Sequence, residues 1–261
     1  MSNELGDFLR ARRADAGLEP PSATGVGRRR LPGLRREEVA AASGISVDYY
    51  ARLEQGRETH PSDAVLDALA RVLRLQPDAR EHLTRLRDAP ASRPTGGTDA
   101  TGADASLADR LEALVETVRP SPAYVLDRLS RMIAANPEGL ALYAGFADLP
   151  PERRITCRYL MTDPRAREIF VEWEELARGA VAQLRAANAG NLRDRELRAL
   201  VEELSGASPL FAEWWSGHIV QRRRSSAIHV RTAAGEIVPR RYEVLHLPED
   251  GLRMTLWLAG G

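Results

Sequence analysis

Residues 34–57, LRREEVAAASGISVDYYARLEQGR, constrain this chain more than any other stretch. Their spacing predicts two short helices, 35–43 and 47–55, broken at Gly44. Glycine takes the left-handed conformation that ends a helix at no Cβ cost. Ser46 then stands where an N-cap belongs, offering its hydroxyl to the free N–H groups of the second helix. Val39, Ile45, Tyr50 and Leu53 give each helix an apolar side facing the other, with Ile45 filling the turn. Val47, Asp48, Tyr49 and Arg52 remain on the outward face. A hairpin of helices that only packs has the same apolar spacing. Here turn glycine, cap, the small Ala40 and flanking arginines agree on a helix-turn-helix, whose second helix enters the DNA major groove.

Formal net charge is zero, which by itself argues against a nucleic-acid partner, but the distribution decides otherwise. All 37 basic residues are arginine, and five of them fall at positions 28–36. Arg28, Arg29 and Arg30 lie immediately before the helix expected to cross the DNA backbone, so phosphate contact is favoured over a merely solvated surface. A guanidinium can also enter a narrow minor groove. The candidate DNA-binding set is Arg28, Arg29, Arg30, Arg35, Arg36, Ser46, Val47, Asp48, Tyr49, Arg52 and Arg57.

A first helix is expected over 4–16, with Leu5, Phe8, Leu9 and Ala16 on one stripe and Gly17 closing it. Residues 18–32 read as an added loop rich in proline and glycine. Pro61-Ser62 start a fourth helix to about Leu73, and Pro77-Asp78 a fifth with Leu83 and Leu86 inside. An all-α, five-helix domain is thus expected within 1–88. Residues 89–105 contain no Leu, Ile, Val, Phe or Trp and read as a flexible linker, placing the domain boundary at 89–106.

The second domain is expected over 107–261. Residues 107–118 form an amphipathic helix stopped by Pro120 and Pro122, and 123–126 and 131–134 are strand candidates. Asp163-Pro164 open a helix running to about Asn188, 194–205 form a second, and Ser208-Pro209 start a third containing Phe211, Trp214, Trp215 and His218. From Ile228 the period becomes two, predicting three antiparallel strands with turns at Ala234-Gly235 and 249–251. Strands at both ends with helices between imply an α+β domain.

No catalytic set emerges, and an enzyme is not expected. His60, His82, His218, His229 and His246 show neither metal-ligand spacing nor a paired nucleophile, and Cys157 is the only cysteine. His218 reads either as a packed structural histidine or as a polar contact to a ligand. Phe170, Trp173, Trp214 and Trp215 fit core packing or an apolar pocket equally. No run approaches 18 apolar residues and the N-terminus shows no signal-peptide pattern, so a cytoplasmic, nucleoid-associated protein without membrane insertion is expected.

The segment 34–57 resembles the phage-repressor (XRE) class of helix-turn-helix, whose recognition helix ends in Leu-Glu-x-Gly, here Leu53-Glu54-Gln55-Gly56. That likeness places Arg13 and Glu54 at a partly buried ion pair between helix one and the recognition helix. Nearly the whole chain resembles the MmyB-like transcription regulators. RRRLPGLRREEVA, SVDYYARLEQGR and PSDAVLDALARVLRL carry the amino-terminal likeness. Pro122-Ala123-Tyr124-Val125-Leu126, Pro151-Glu152-Arg153-Arg154, Asp163-Pro164, Trp173, Leu184-Arg185, Glu203-Leu204, Ser208-Pro209, Trp214 and His218 carry the rest. The resemblance implies a PAS-like carboxy-terminal fold that binds a small apolar ligand such as a fatty acid; Trp173, Trp214 and His218 of its pattern, with Phe170 from the aromatic cluster, are the candidate ligand-binding residues. Two departures stand out. The family's Leu-Ala-Trp-Asn is Ile133-Ala134-Ala135-Asn136 here, and Ile155 replaces the Asn after Arg154, so the ligand's identity does not carry over.

The expectation is a bacterial, sequence-specific regulator of transcription that binds double-stranded operator DNA as a homodimer, because one helix-turn-helix makes too few base contacts. The carboxy-terminal domain is expected to sense the apolar ligand or, alternatively, to serve only interaction and dimerisation. No metal or other cofactor is expected.

Overall fold

The computed structural model describes residues 3–16, 33–88, 103–222, 225–232, 234–247 and 252–259. The chain forms two compact units. The loop that carries Gly17 and Arg28, Arg29 and Arg30, and residues 89–102 of the linker, lie outside the described residues.

Among its described residues the amino-terminal unit contains five helices: α1 (Glu4–Asp15), α2 (Arg36–Ser43), α3 (Val47–Gln55), α4 (Asp63–Val72) and α5 (Pro77–Asp88). Local chemistry marks their ends. The Asn3, Ser46 and Ser62 side chains accept from Gly6 N at 3.0 Å, Tyr49 N at 3.1 Å and Val65 N at 3.4 Å. At the start of α2, Glu38 accepts from Arg35 N at 2.7 Å. Gly44 has φ +69°, and the pair Ile45 N to Ala40 O (3.1 Å) with Gly44 N to Ala41 O (3.2 Å) closes α2 as a Schellman motif. Phe8, Leu9, Val39, Tyr50, Leu53, Leu69 and Leu83 are fully buried in the shared core. Ile45 and Leu86, expected inside, are half-buried.

The carboxy-terminal unit opens with α6 (Ala103–Thr117), which begins inside the stretch expected to be linker. Lack of large apolar side chains says that residues 103–106 have little to bury. It does not stop the alanines there from extending a helix backward from Leu107 by one turn. Then come β1 (Ala123–Leu126), β2 (Met132–Ala135), α7 (Pro137–Ala141), two short 3-10 turns, α8 (Thr156–Thr162), α9 (Pro164–Ile169) and α10 (Trp173–Ala187). α11 (Arg195–Ala207), α12 (Pro209–Ser216), β3 (Ser225–Arg231), β4 (Ile237–Leu247) and β5 (Leu252–Ala259) complete the unit. The strands form one antiparallel sheet in the order β2-β1-β5-β4-β3. This is the α+β arrangement expected.

One face of β1, β2 and β5 packs under α6, where Leu111, Val115, Ala123, Val125, Ala134, Leu252 and Met254 are buried together. Asn136 joins the layers. Its Oδ1 accepts from Ala123 N (3.0 Å) and Gly139 N (2.8 Å), and its Nδ2 donates to Val115 O (3.0 Å) and Ser121 O (2.8 Å). Those four bonds use the amide's whole capacity at a fully buried position.

Three expectations need correction. The helix expected from 163 to 188 is broken between α9 and α10. Phe170 bridges to Val230, and Val171 N donates to His229 O at 3.0 Å, so the segment pairs with the sheet edge and its helical pattern is overridden by a partner about sixty residues away. β2 begins at Met132 rather than Arg131, whose backbone instead bridges to Ile155. His218 is not in α12, which ends at Ser216; it follows the helix with φ +50°.

Candidate nucleic-acid interface and ligand domain

α3 separates its residues cleanly by burial. Tyr50, Leu53 and Glu54 face the core, while Asp48 and Arg52 are exposed and Val47, although apolar, is 41% exposed. Tyr49 is half-buried. Ser46 caps the end from which these side chains project. Arg52 Nη1 donates to Asp48 Oδ2 at 2.7 Å, and its guanidinium carbon lies 5.7 Å from the Tyr49 ring centre. Arg35 and Arg57 are exposed, Arg35 at the N-cap of α2 and Arg57 just beyond α3. The amino-terminal turn of α3 therefore offers donors, a carboxylate, an aromatic ring and an aliphatic group, the repertoire that reads base edges.

Behind that face sits an ion cluster. Glu54 has a fully buried carboxylate, which accepts from Arg13 Nε at Oε1 and from Arg36 Nε at Oε2, each at 2.6 Å. Arg13 Nη1 also donates to Leu34 O at 2.9 Å, tying α1 to the start of α2. Burial alone would push the Glu54 carboxyl up; the two arginines overcome it and hold the group below its ordinary value. Burial, with the Glu54 charge nearby, pushes the Tyr50 phenol up. The end of α3 is fastened too: the Glu54 carbonyl accepts from Asn3 Nδ2 at 2.7 Å and Arg10 Nη2 at 2.9 Å. The likeness to repressors implied the Arg13–Glu54 pair. The roles of Arg36, Asn3 and Arg10 were not legible, because each depends on helix packing rather than on spacing along the chain.

Of the four candidate ligand residues, Phe170, Trp173 and Trp214 lie in the carboxy-terminal unit and do not form one cluster, and His218 falls in the other unit. Trp173 and Trp214 are paired, with ring centres 6.4 Å apart. Trp173 Nε1 donates to Leu160 O at 2.6 Å, and Arg167 covers its ring at 4.1 Å. Phe170 instead joins Tyr143 at 6.1 Å and Trp257 at 6.3 Å. Tyr143 also meets Tyr124, Phe146 and Tyr159. Inside this buried group the Tyr124 and Tyr143 hydroxyls are 2.8 Å apart, and Trp257 Nε1 donates to the Tyr124 oxygen at 3.3 Å. Burial, with Asp163 nearby, pushes the Tyr159 phenol up to about 12. His218, half-buried, follows α12. The aromatic group was missed because its members lie on β1, on β5, in a 3-10 turn, in α8 and, for Tyr143 and Phe170, between helices; only the alternation within β5, with Arg253, Thr255 and Trp257 on one face, hinted at it.

The two departures from the family pattern have visible consequences. Ala135 pairs with Tyr124 across the sheet, so the missing large aromatic is missing beside that phenol. Ile155 is the N-cap residue of α8 and supplies no side-chain bond there, whereas an Asn could.

Among the described residues no group of acidic, His or Cys side chains could hold a metal, and no helix is long and apolar enough to cross a membrane. Comparison with known families gives the class: a DNA-binding regulator of transcription that also carries a ligand-binding domain. A helix-turn-helix domain model matches residues 4–83, and a model described as the MmyB-like transcription regulator ligand binding domain matches residues 107–260. The chain belongs to the MmyB-like transcription regulators. No curated protein matches it.

Proposed function

We propose that α3 reads operator bases through Val47, Asp48, Tyr49 and Arg52, with Ser46 at its capped end. Arg35, Arg36 and Arg57, together with Arg28, Arg29 and Arg30 of the preceding loop, hold the phosphate backbone. The observation that carries this reading is the exposure of Val47, Asp48 and Arg52 on the same helix whose other side is fully buried. An exposed β-branched residue beside a charged pair has no packing reason to be there, and the thymine methyl group is a fitting partner. The protein acts in the cytoplasm as a homodimer on an operator with two half-sites, and residues 107–261 carry most of the dimer contact. An apolar, fatty-acid-like molecule held among the aromatic side chains of the carboxy-terminal unit, Phe170, Trp173 and Trp214 among them, alters operator affinity by its differential affinity for two dimer arrangements. The domain's family supports this part.

Genome-wide mapping of binding sites, followed by anisotropy titrations on the mapped operator, tests the reading of bases. Sedimentation of fragments 1–88 and 107–261 tests the division of labour: a monomeric first fragment and a dimeric second are expected. A dimeric 1–88 with full operator affinity overturns it. Solvent extraction of purified protein with mass spectrometry is expected to release an apolar acid; recovery of none favours the alternative, an interaction and dimerisation module.

A further inference from the structure

We propose that Glu54 is a positioning residue: it holds the Arg36 guanidinium by its Nε edge so that the remaining edge meets a DNA phosphate. The inference rests on the reading that the start of α2 faces the DNA backbone. One arginine suffices to neutralise one buried carboxylate, yet Glu54 holds two, at 2.6 Å each, leaving the trio with a net positive charge. That surplus resides on the outer member: the Arg36 side chain is 44% exposed and Arg13 only 19%. Arg36 is also the first residue of α2, where the helix dipole disfavours a cation. A residue placed against its local preference marks function, and a phosphate seated there satisfies both the dipole and the guanidinium. The first helix of a helix-turn-helix crosses the backbone. Because Glu54 belongs to the last turn of α3, one carboxylate sets the backbone contact and the recognition helix in a single frame.

A phosphate contact is independent of sequence, so the probe is a fluorescein-labelled random 30-base-pair duplex titrated with the full chain at several KCl concentrations. Arg36→Gln is expected to lower the slope of log affinity against log salt by about 0.9. Counting charges, Glu54→Gln removes a negative group and tightens binding. Positioning predicts the opposite, roughly three- to tenfold weakening, with Glu54→Gln/Arg36→Gln no weaker than Arg36→Gln alone. Circular dichroism melts accompany each variant. Should Glu54→Gln not fold, Glu54→Asp decides: it keeps the charge but draws the carboxylate back by one methylene, so the Arg36 guanidinium is no longer held in place and random-DNA binding should weaken. Unchanged or tighter binding by folded Glu54→Gln, or wild-type binding by Glu54→Asp, overturns the proposal. Loss of slope in Arg35→Gln but not in Arg36→Gln also overturns it, while leaving the backbone-facing reading intact. No loss in either variant removes both.

Discussion

Arg52 donates to the Asp48 carboxylate at 2.7 Å, one turn away on the outer face of α3. An exposed pair of this kind contributes little to stability. Its consequence is geometric, because Asp48 holds one guanidinium nitrogen of a side chain that is 45% exposed. Arg52→Ala should therefore cost about 1–3 kcal/mol on the cognate operator and relax preference at one base pair. Asp48→Ala should loosen preference at that same base pair while leaving affinity for random DNA no weaker. Selection from a randomised operator library checks both. An equal loss on cognate and random DNA for Arg52→Ala would remove the base-reading role.

The turn between α2 and α3 should tolerate size but not shape. A Cβ at Gly44 meets nothing within 4 Å, yet φ is +69°, so any cost is one of backbone conformation. Gly44→Ala should cost about 1–2 kcal/mol, and Gly44→Val more, since a β-branched residue resists positive φ. Ser46→Ala should cost about 0.5–2 kcal/mol through the lost cap. Gly6 is the contrasting case, where an added Cβ would run into the Asn3 side chain and the Glu54 carbonyl. Thermal melts of the full chain that are unchanged for Gly44→Val would rule out the turn geometry.

Glu54 gives the amino-terminal unit an acid-sensitive element. Its folded pKa lies below the ordinary 4.5 even though burial pushes it up, because Arg13 and Arg36 hold the charged form. A carboxyl whose pKa falls on folding contributes stability that is complete above its unfolded pKa and is lost as pH drops through the folded value. Denaturant midpoints should thus decline as pH falls below 4.5, and Glu54→Gln should flatten that decline while lowering stability at neutral pH. An identical acid profile in the variant would show that Glu54 is not the group responsible.

Asn136→Ala should be among the most destabilising single changes in the carboxy-terminal unit. It leaves the Ala123 and Gly139 N–H groups and the Val115 and Ser121 carbonyls without their bonds at a buried junction. A loss of about 2–4 kcal/mol is expected. Hydrogen exchange should report it as faster exchange across β1, β2 and the end of α6, with α2 and α3 unaffected. Uniform loss of protection across both units would show that Asn136 does not act locally.

Where the controlling interaction is local, the sequence alone was enough. Gly44, Ser46, Ser62 and Pro77 act on their own backbone or within one turn, so the limits of α2 to α5 were legible within a residue or two. The outward placement of Val47, Asp48 and Arg52 followed from the helical period. β1 and the change to strands near 228 followed from alternation. What the tertiary structure decided lies at long range. Phe170 leaves a helical pattern because Val230 offers an edge to pair with, and no residue near Phe170 announces that partner. The sheet order places β5 between β1 and β4, which brings Trp257 to Tyr124 across 133 positions of chain. Arg36 and Arg13 look alike as letters, and packing alone made one a half-exposed arm and the other a largely covered strut on the same carboxylate. Short-range torsional and capping preferences are written residue by residue; the pairing of distant surfaces is chosen by the burial and hydrogen-bond satisfaction of the whole core.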